Sequence, residues 1–217
     1  MATSGELCRS IARALGLPFE TVREHLRNIR ARKNVITFKG YGRGAAAMTA
    51  RDAARLLMVA AGSIFVKDSL VTLDTYSGLV QVAGPNDGEA APDTKMTFEV
   101  QLEAMIREIA AGTLGDAPAY SRAGGVPIRC MALAMTSVVA DKPYAFPKIA
   151  TLRRFVGARK MEERTFAPDW WRPAEPDVAA LVRGFPDAGL VQIREVPAWA
   201  VAEIALSLRT AGDEPRS

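Results

Sequence analysis

The sequence predicts an α+β protein: an N-terminal winged helix-turn-helix followed by a helix-rich domain with a small antiparallel sheet. Three observations predict it. Two Ser/Thr-type caps with an acidic residue three positions on open helices near residues 3 and 49. Three later segments, roughly 127–140, 147–156 and 160–166, have strand character. Between these halves, residues 82–96 (VAGPNDGEAAPDTKM) have the composition of an exposed linker.

The elements follow in order. Thr3 and Glu6 form a capping box for a helix over about 4–15, whose Leu7, Cys8, Ile11, Ala12 and Leu15 make one apolar stripe. Gly16 ends it, because glycine takes a positive φ at little cost. A second helix starts near Phe19 and turns Phe19, Val22, Leu26 and Ile29 inward. Residues 35–44, VITFKGYGRG, alternate apolar and polar before a glycine-rich tip, which reads as a short hairpin or wing. Thr49 with Asp52 opens a third helix that the apolar run Ala53 to Ala61 continues, and a fourth is expected over 66–79. Beyond the linker, Phe98, Leu102, Met105, Ile106 and Ile109 face one way on a helix over about 97–113, closed by Gly112. The tail is expected to hold helices near 176–184 and 198–209 with a strand around 189–195 between them, Pro197 fitting the first turn of the last helix. The expected organisation is thus 1–81, linker 82–96, and 97–217 for assembly or partner binding.

Composition narrows the class. In 217 residues, 49% are hydrophobic and mean hydropathy is +0.04, as in a soluble globular protein. No apolar run approaches the roughly 18 residues a membrane span needs. The first ten residues, MATSGELCRS, lack the basic and apolar regions of a secretory signal, so a cytoplasmic protein without a membrane partner is expected. Cys8 and Cys130 have neither disulfide-framework nor zinc-site spacing. Net charge is +4, unevenly placed: residues 1–55 hold eleven Lys/Arg against four Asp/Glu, which leaves the remainder at −3. A basic head on a mildly acidic body suits a protein one end of which meets phosphates.

The run IARALGLPFETVREHLRNIRARK, Ile11 to Lys33, resembles bacterial helix-turn-helix regulators of the LuxR and MerR kinds. Ile11-Ala12 fall on the first helix, Leu15-Gly16-Leu17 on the turn, and Thr21-Val22 open the second. The continuation resembles the MerR and phage excisionase winged helix, in which the wing precedes a helix with the pattern Tyr-Thr-x-x-Asp. The matching run is Ala47-Met48-Thr49-Ala50-Arg51-Asp52, without the aromatic, and the resemblance ends near residue 62.

The resemblance implies double-stranded DNA as partner and puts Glu20, Thr21, Arg23, Glu24, Arg27 and Asn28 toward the major groove. Arg23 and Arg27 suit guanine, Glu20 or Glu24 cytosine, and Asn28 adenine. Arg30, Arg32, Lys33 and Lys39 suit phosphates, while Tyr41 and Arg43 belong to the wing, Arg43 being its charged tip. Apart from any resemblance, Glu20 and Glu24 are spaced to pair with Arg23 and Arg27. A homodimer on two half-sites is the default for one such motif.

An enzyme is not expected. The sole histidine, His25, lies in the second helix, and no phosphate loop, dinucleotide fingerprint, cofactor motif or metal-ligand cluster is present. Glu162-Glu163 are neighbours on a strand and point to opposite faces. Trp170-Trp171 read either as a docking spot for another protein or as the rim of a core. The function expected first is a sequence-specific transcriptional regulator of bacterial or phage type. The alternative is a DNA-recognition subunit of a phage packaging machine, small-terminase-like, and a third is a sensor that holds a small molecule.

Overall fold

A computed structural model of the chain describes residues 2–37, 46–83, 96–112, 132–139, 149–156, 160–169 and 190–209. Helices α1 (Ser4–Leu15), α2 (Phe19–Arg30) and α3 (Ala50–Gly62) lead to a 3₁₀ turn at Val66–Asp68, helix α4 (Ser69–Ser77) and strand β1 (Val80–Ala83). Helix α5 (Phe98–Ala111), strands β2 (Ala132–Val139), β3 (Ile149–Val156), β4 (Lys160–Ala167) and β5 (Leu190–Val196), and helix α6 (Ala198–Ser207) complete the described elements. The result is an α+β protein.

Local chemistry accounts for the helix ends. Thr3 Oγ1 accepts from the Glu6 N–H at 3.3 Å, and Glu6 Oε2 accepts from the Thr3 N–H at 2.7 Å. Gly16 closes α1 at φ 67°, and the Leu17 N–H donates back to the Ala12 carbonyl at 2.9 Å. Thr49 and Asp52 make the same reciprocal box before α3. Gly112 ends α5 at φ 71°, where Arg209 supplies a second cap by donating from Nε and Nη2 to the Ala110 and Ile109 carbonyls at 2.6 and 3.0 Å. Pro197 stands just before α6 as its N-cap residue, one position earlier than expected.

Among the described residues the sheet has five strands in the order β1-β4-β3-β2-β5, every neighbour antiparallel. The expected strands at 127–140, 147–156 and 160–166 correspond to the β2-β3-β4 meander, and the one at 189–195 to β5, which pairs with β2. Strand β1 escaped the sequence reading. Its four residues are too few to display a period, and it begins before the expected linker at 82–96 and runs into it. Residues 84–95 of that linker, the helix expected at 176–184 and Trp170-Trp171 lie outside the described residues.

Of the wing expected at 35–44, only its first residues lie among those described. Val35, Ile36 and Thr37 are in no strand, and 38–45, with Lys39, Tyr41 and Arg43, lie outside the described residues.

Helix α3 is the centre of the packing. Of its thirteen residues only Ala50, Arg51 and Arg55 escape burial, the pattern of a helix enclosed on nearly all sides. It meets α1, α2, α4, α5 and α6, and strands β2 and β5. Phe98, fully buried, has its ring centroid 6.3 Å from that of Tyr76 and 5.5 Å from that of Phe166, joining α4, α5 and the sheet. The buried apolar cluster runs from Leu7 to Ala205, so the basic head and the acidic body share one core. Among the described residues no helix is long and apolar enough to cross a membrane.

Candidate nucleic-acid interface

Helix α2 has two unlike faces. Val22, Leu26 and Ile29 are buried as the spacing predicts, with Phe19 packed at the edge. Arg23 and Arg27 are exposed, and each pairs with the glutamate three residues earlier: Arg23 Nη2–Glu20 Oε2 at 2.7 Å, Arg27 Nη1–Glu24 Oε2 at 3.2 Å. The paired reading of Glu20 and Glu24 therefore describes the free protein.

Two expected outward residues need correction. Asn28 turns inward, donating from Nδ2 to the Val66 carbonyl at 2.8 Å and to Ser69 Oγ at 3.4 Å. One helical turn earlier, His25 is buried with Nδ1 2.9 Å from Ser69 Oγ. Both side chains fasten α2 to the start of α4, so Asn28 does not stand ready for an adenine. Thr21 is half-buried and lines a cleft on the side toward β5.

The C-terminal half of α2, residues 31–37 and the start of α3 enclose a groove of about 810 Å³. Arg27, Arg30, Arg32, Lys33, Arg51 and Arg55 line it, with Asp52 as the single lining carboxylate among the described residues. Asp52 is 2% exposed and shapes the groove: it accepts from the Thr37 N–H at 2.9 Å and from the Thr49 N–H and hydroxyl at 2.8 Å each. Arg55 binds the facing lip by donating to the Asn34 and Val35 carbonyls. Asn34 takes φ 62°, a left-handed conformation asparagine tolerates, and this turns the chain at the lip.

Charge is distributed unequally across this surface. Arg51 and Arg55 both donate to Glu99 Oε1, at 2.9 Å each, but the Glu99 side chain is 11% exposed and that of Arg51 is 56%. Arg32 grips Asp74 with two parallel hydrogen bonds, the second from Nη2 to Oδ2 at 2.9 Å. The Arg32 guanidinium holds the Asp74 carboxyl below its ordinary range, and Asp74 raises Arg32 in turn. Arg27 is 78% exposed. Arg27, Arg32 and Arg51 reach solvent, whereas Arg55 is 12% exposed and lies with the buried Asp52 and Glu99, so the rim of the groove presents cations.

Arg51, Arg55, Glu99 and Asp74 were absent from the sequence-derived site. The i,i+4 spacing of Arg51 and Arg55 behind the Thr49 cap could have placed both on one face of α3. Nothing local could have matched them with Glu99, 44 and 48 positions later. Among the described residues no group of three His, Cys, Asp or Glu is placed to hold a metal ion. Burial pushes the Cys8 thiol up to about 11, against the pull of Arg30, Arg23 and Arg9, as befits a packed rather than a reactive thiol. Compared with known proteins, the chain matches no family model, no curated sequence and no solved structure.

Proposed function

We propose that the chain is a sequence-specific DNA-binding protein, a transcriptional regulator of bacterial or phage type that acts as a homodimer. The cationic groove carries this reading: among the described residues, six Lys/Arg side chains line one concave surface around a single buried lining carboxylate. Arg27 at its edge and Arg23 beside it stand on the exposed face of α2, where a guanidinium can meet guanine once it exchanges its glutamate partner. Arg30, Arg32, Lys33 and Arg51 would hold phosphates and fix register, with Arg55 bracing the groove from within. Lys39, Tyr41 and Arg43 would add contacts to the DNA backbone or minor groove.

The test is selection from a random duplex pool at about 150 mM salt, where phosphate contacts alone are weakened. An inverted repeat bound by two chains supports the reading. Recovery of no motif, or binding confined to low salt, sinks sequence-specific readout. Replacing Arg30, Arg32 and Lys33 together by Gln should flatten the salt dependence by about 0.9 for each phosphate that is no longer neutralised. An unchanged slope would move the phosphate surface elsewhere.

A further inference from the structure

A second concavity, of about 350 Å³, lies on the other side of α2. Leu17 and Thr21, His25, Ser63, and Arg194 and Val196 of β5 are among its walls, so it joins the turn, α2, the end of α3 and the sheet. We propose that this cleft binds a small organic monoanion, a carboxylate on a short apolar body that also carries a hydroxyl or N–H.

The half-buried Arg194 supplies the charge. Its Nη1 donates to the Ala61 and Ser63 carbonyls at 3.0 and 2.6 Å, which fixes the guanidinium at the C-terminal end of α3. Among the described residues the cleft lining contains no carboxylate to answer it. A guanidinium held in place by backbone and facing an acid-free cavity is preorganised for an anion.

The hydrogen-bond network around His25 supplies the second recognition element. Ser69 donates its one hydroxyl proton to the Val66 carbonyl, so Ser69 Oγ accepts from His25 and the imidazole proton lies on Nδ1. Burial and the neighbouring Arg194 both push the ring toward its neutral form. Nε2 is then an acceptor on a residue that lines the cleft, and it calls for a donor on the ligand. The Thr21 hydroxyl can serve either role. Leu15, Leu17, Ala60 and Val196 furnish the apolar wall, and the volume fits the small end of ligand sites, roughly 300–1,000 Å³.

The test uses mandelate, which has a carboxylate, a hydroxyl and an apolar ring, with mandelamide as its neutral counterpart. Binding is read by calorimetry and backbone amide NMR shifts on the full chain without DNA, so the outcome is independent of the DNA-binding proposal. Mandelate is expected to bind with shifts centred on Thr21, His25 and Arg194, and mandelamide to bind at least about tenfold more weakly, a difference of about 1.4 kcal/mol. Arg194→Gln should abolish the preference for the acid. Because Arg194 also caps α3, Thr21→Leu provides a second variant that fills the cleft from a half-buried position and should block both compounds. No binding of mandelate at about 10 mM, the weak end of the affinity scale, overturns the proposal. So does equal binding of acid and amide, or binding that survives Thr21→Leu.

Discussion

The cationic groove and the cleft share α2 as a wall and differ in almost every other respect. Arg27 and Arg30 face the groove with residues drawn from 27–55, a single continuous stretch of chain. Thr21 and His25 face the cleft, which is incomplete without Arg194 and Val196. The groove is open and multiply charged, suited to a polyanion. The cleft offers one fixed cation, one neutral imidazole and apolar walls. The groove is thus assembled from neighbours in sequence, whereas the cleft draws on a strand more than 120 residues away.

The largest effect is expected from the core that both regions lean on. Leu57→Ala empties a fully buried site in α3 and should cost about 2–5 kcal/mol. Urea denaturation should show one transition followed alike by helix and tryptophan signals. Two separated transitions would mean that the groove and the β5 side of the cleft belong to independently folding units.

Asn28→Ala comes next. It removes a side chain that donates to the Val66 carbonyl and to Ser69, so a loss of about 1–3 kcal/mol is expected with no change in selected DNA sequence. Retained stability with a lost adenine preference would return Asn28 to the DNA-reading face.

His25 gives a smaller, pH-dependent effect. Burial lowers its folded-state value below the ordinary 6.5, so near that pH the unfolded chain binds the proton first. The stabilising contribution is complete above about 6.5 and declines as pH falls toward the folded value, below which it is gone. The urea midpoint of the wild type should fall between pH 7 and 5.5, and that of His25→Gln should change less. Equal slopes would assign the dependence to another group.

Glu20→Gln should change stability by about 0.5 kcal/mol or less, since both partners of the Glu20–Arg23 pair are more than half exposed. Releasing Arg23 should tighten DNA binding. Weaker binding would make Glu20 itself a contact and Arg23 its support.

Local sequence determined much of the helical framework. The two capping boxes, the stops at Gly16 and Gly112, and the apolar stripes of α1, α2 and α5 were legible because each depends on residues within four positions of one another. The basic surface was legible as charge density in the first 55 residues, and the Glu20–Arg23 and Glu24–Arg27 pairs as i,i+3 spacing. Tertiary structure alone decided how those pieces are used. It turned Asn28 toward Val66 because the 3₁₀ turn passes the polar edge of α2. It added β1 to the edge of the sheet through pairing with β4, 80 and more residues away. It placed Glu99 beneath Arg51 and Arg55, and Arg194 at the end of α3, contacts between groups 44 to 133 positions apart. Spacing along the chain encodes which face a residue occupies. The partner that face meets depends on which distant element packs there, and that is set by the core as a whole.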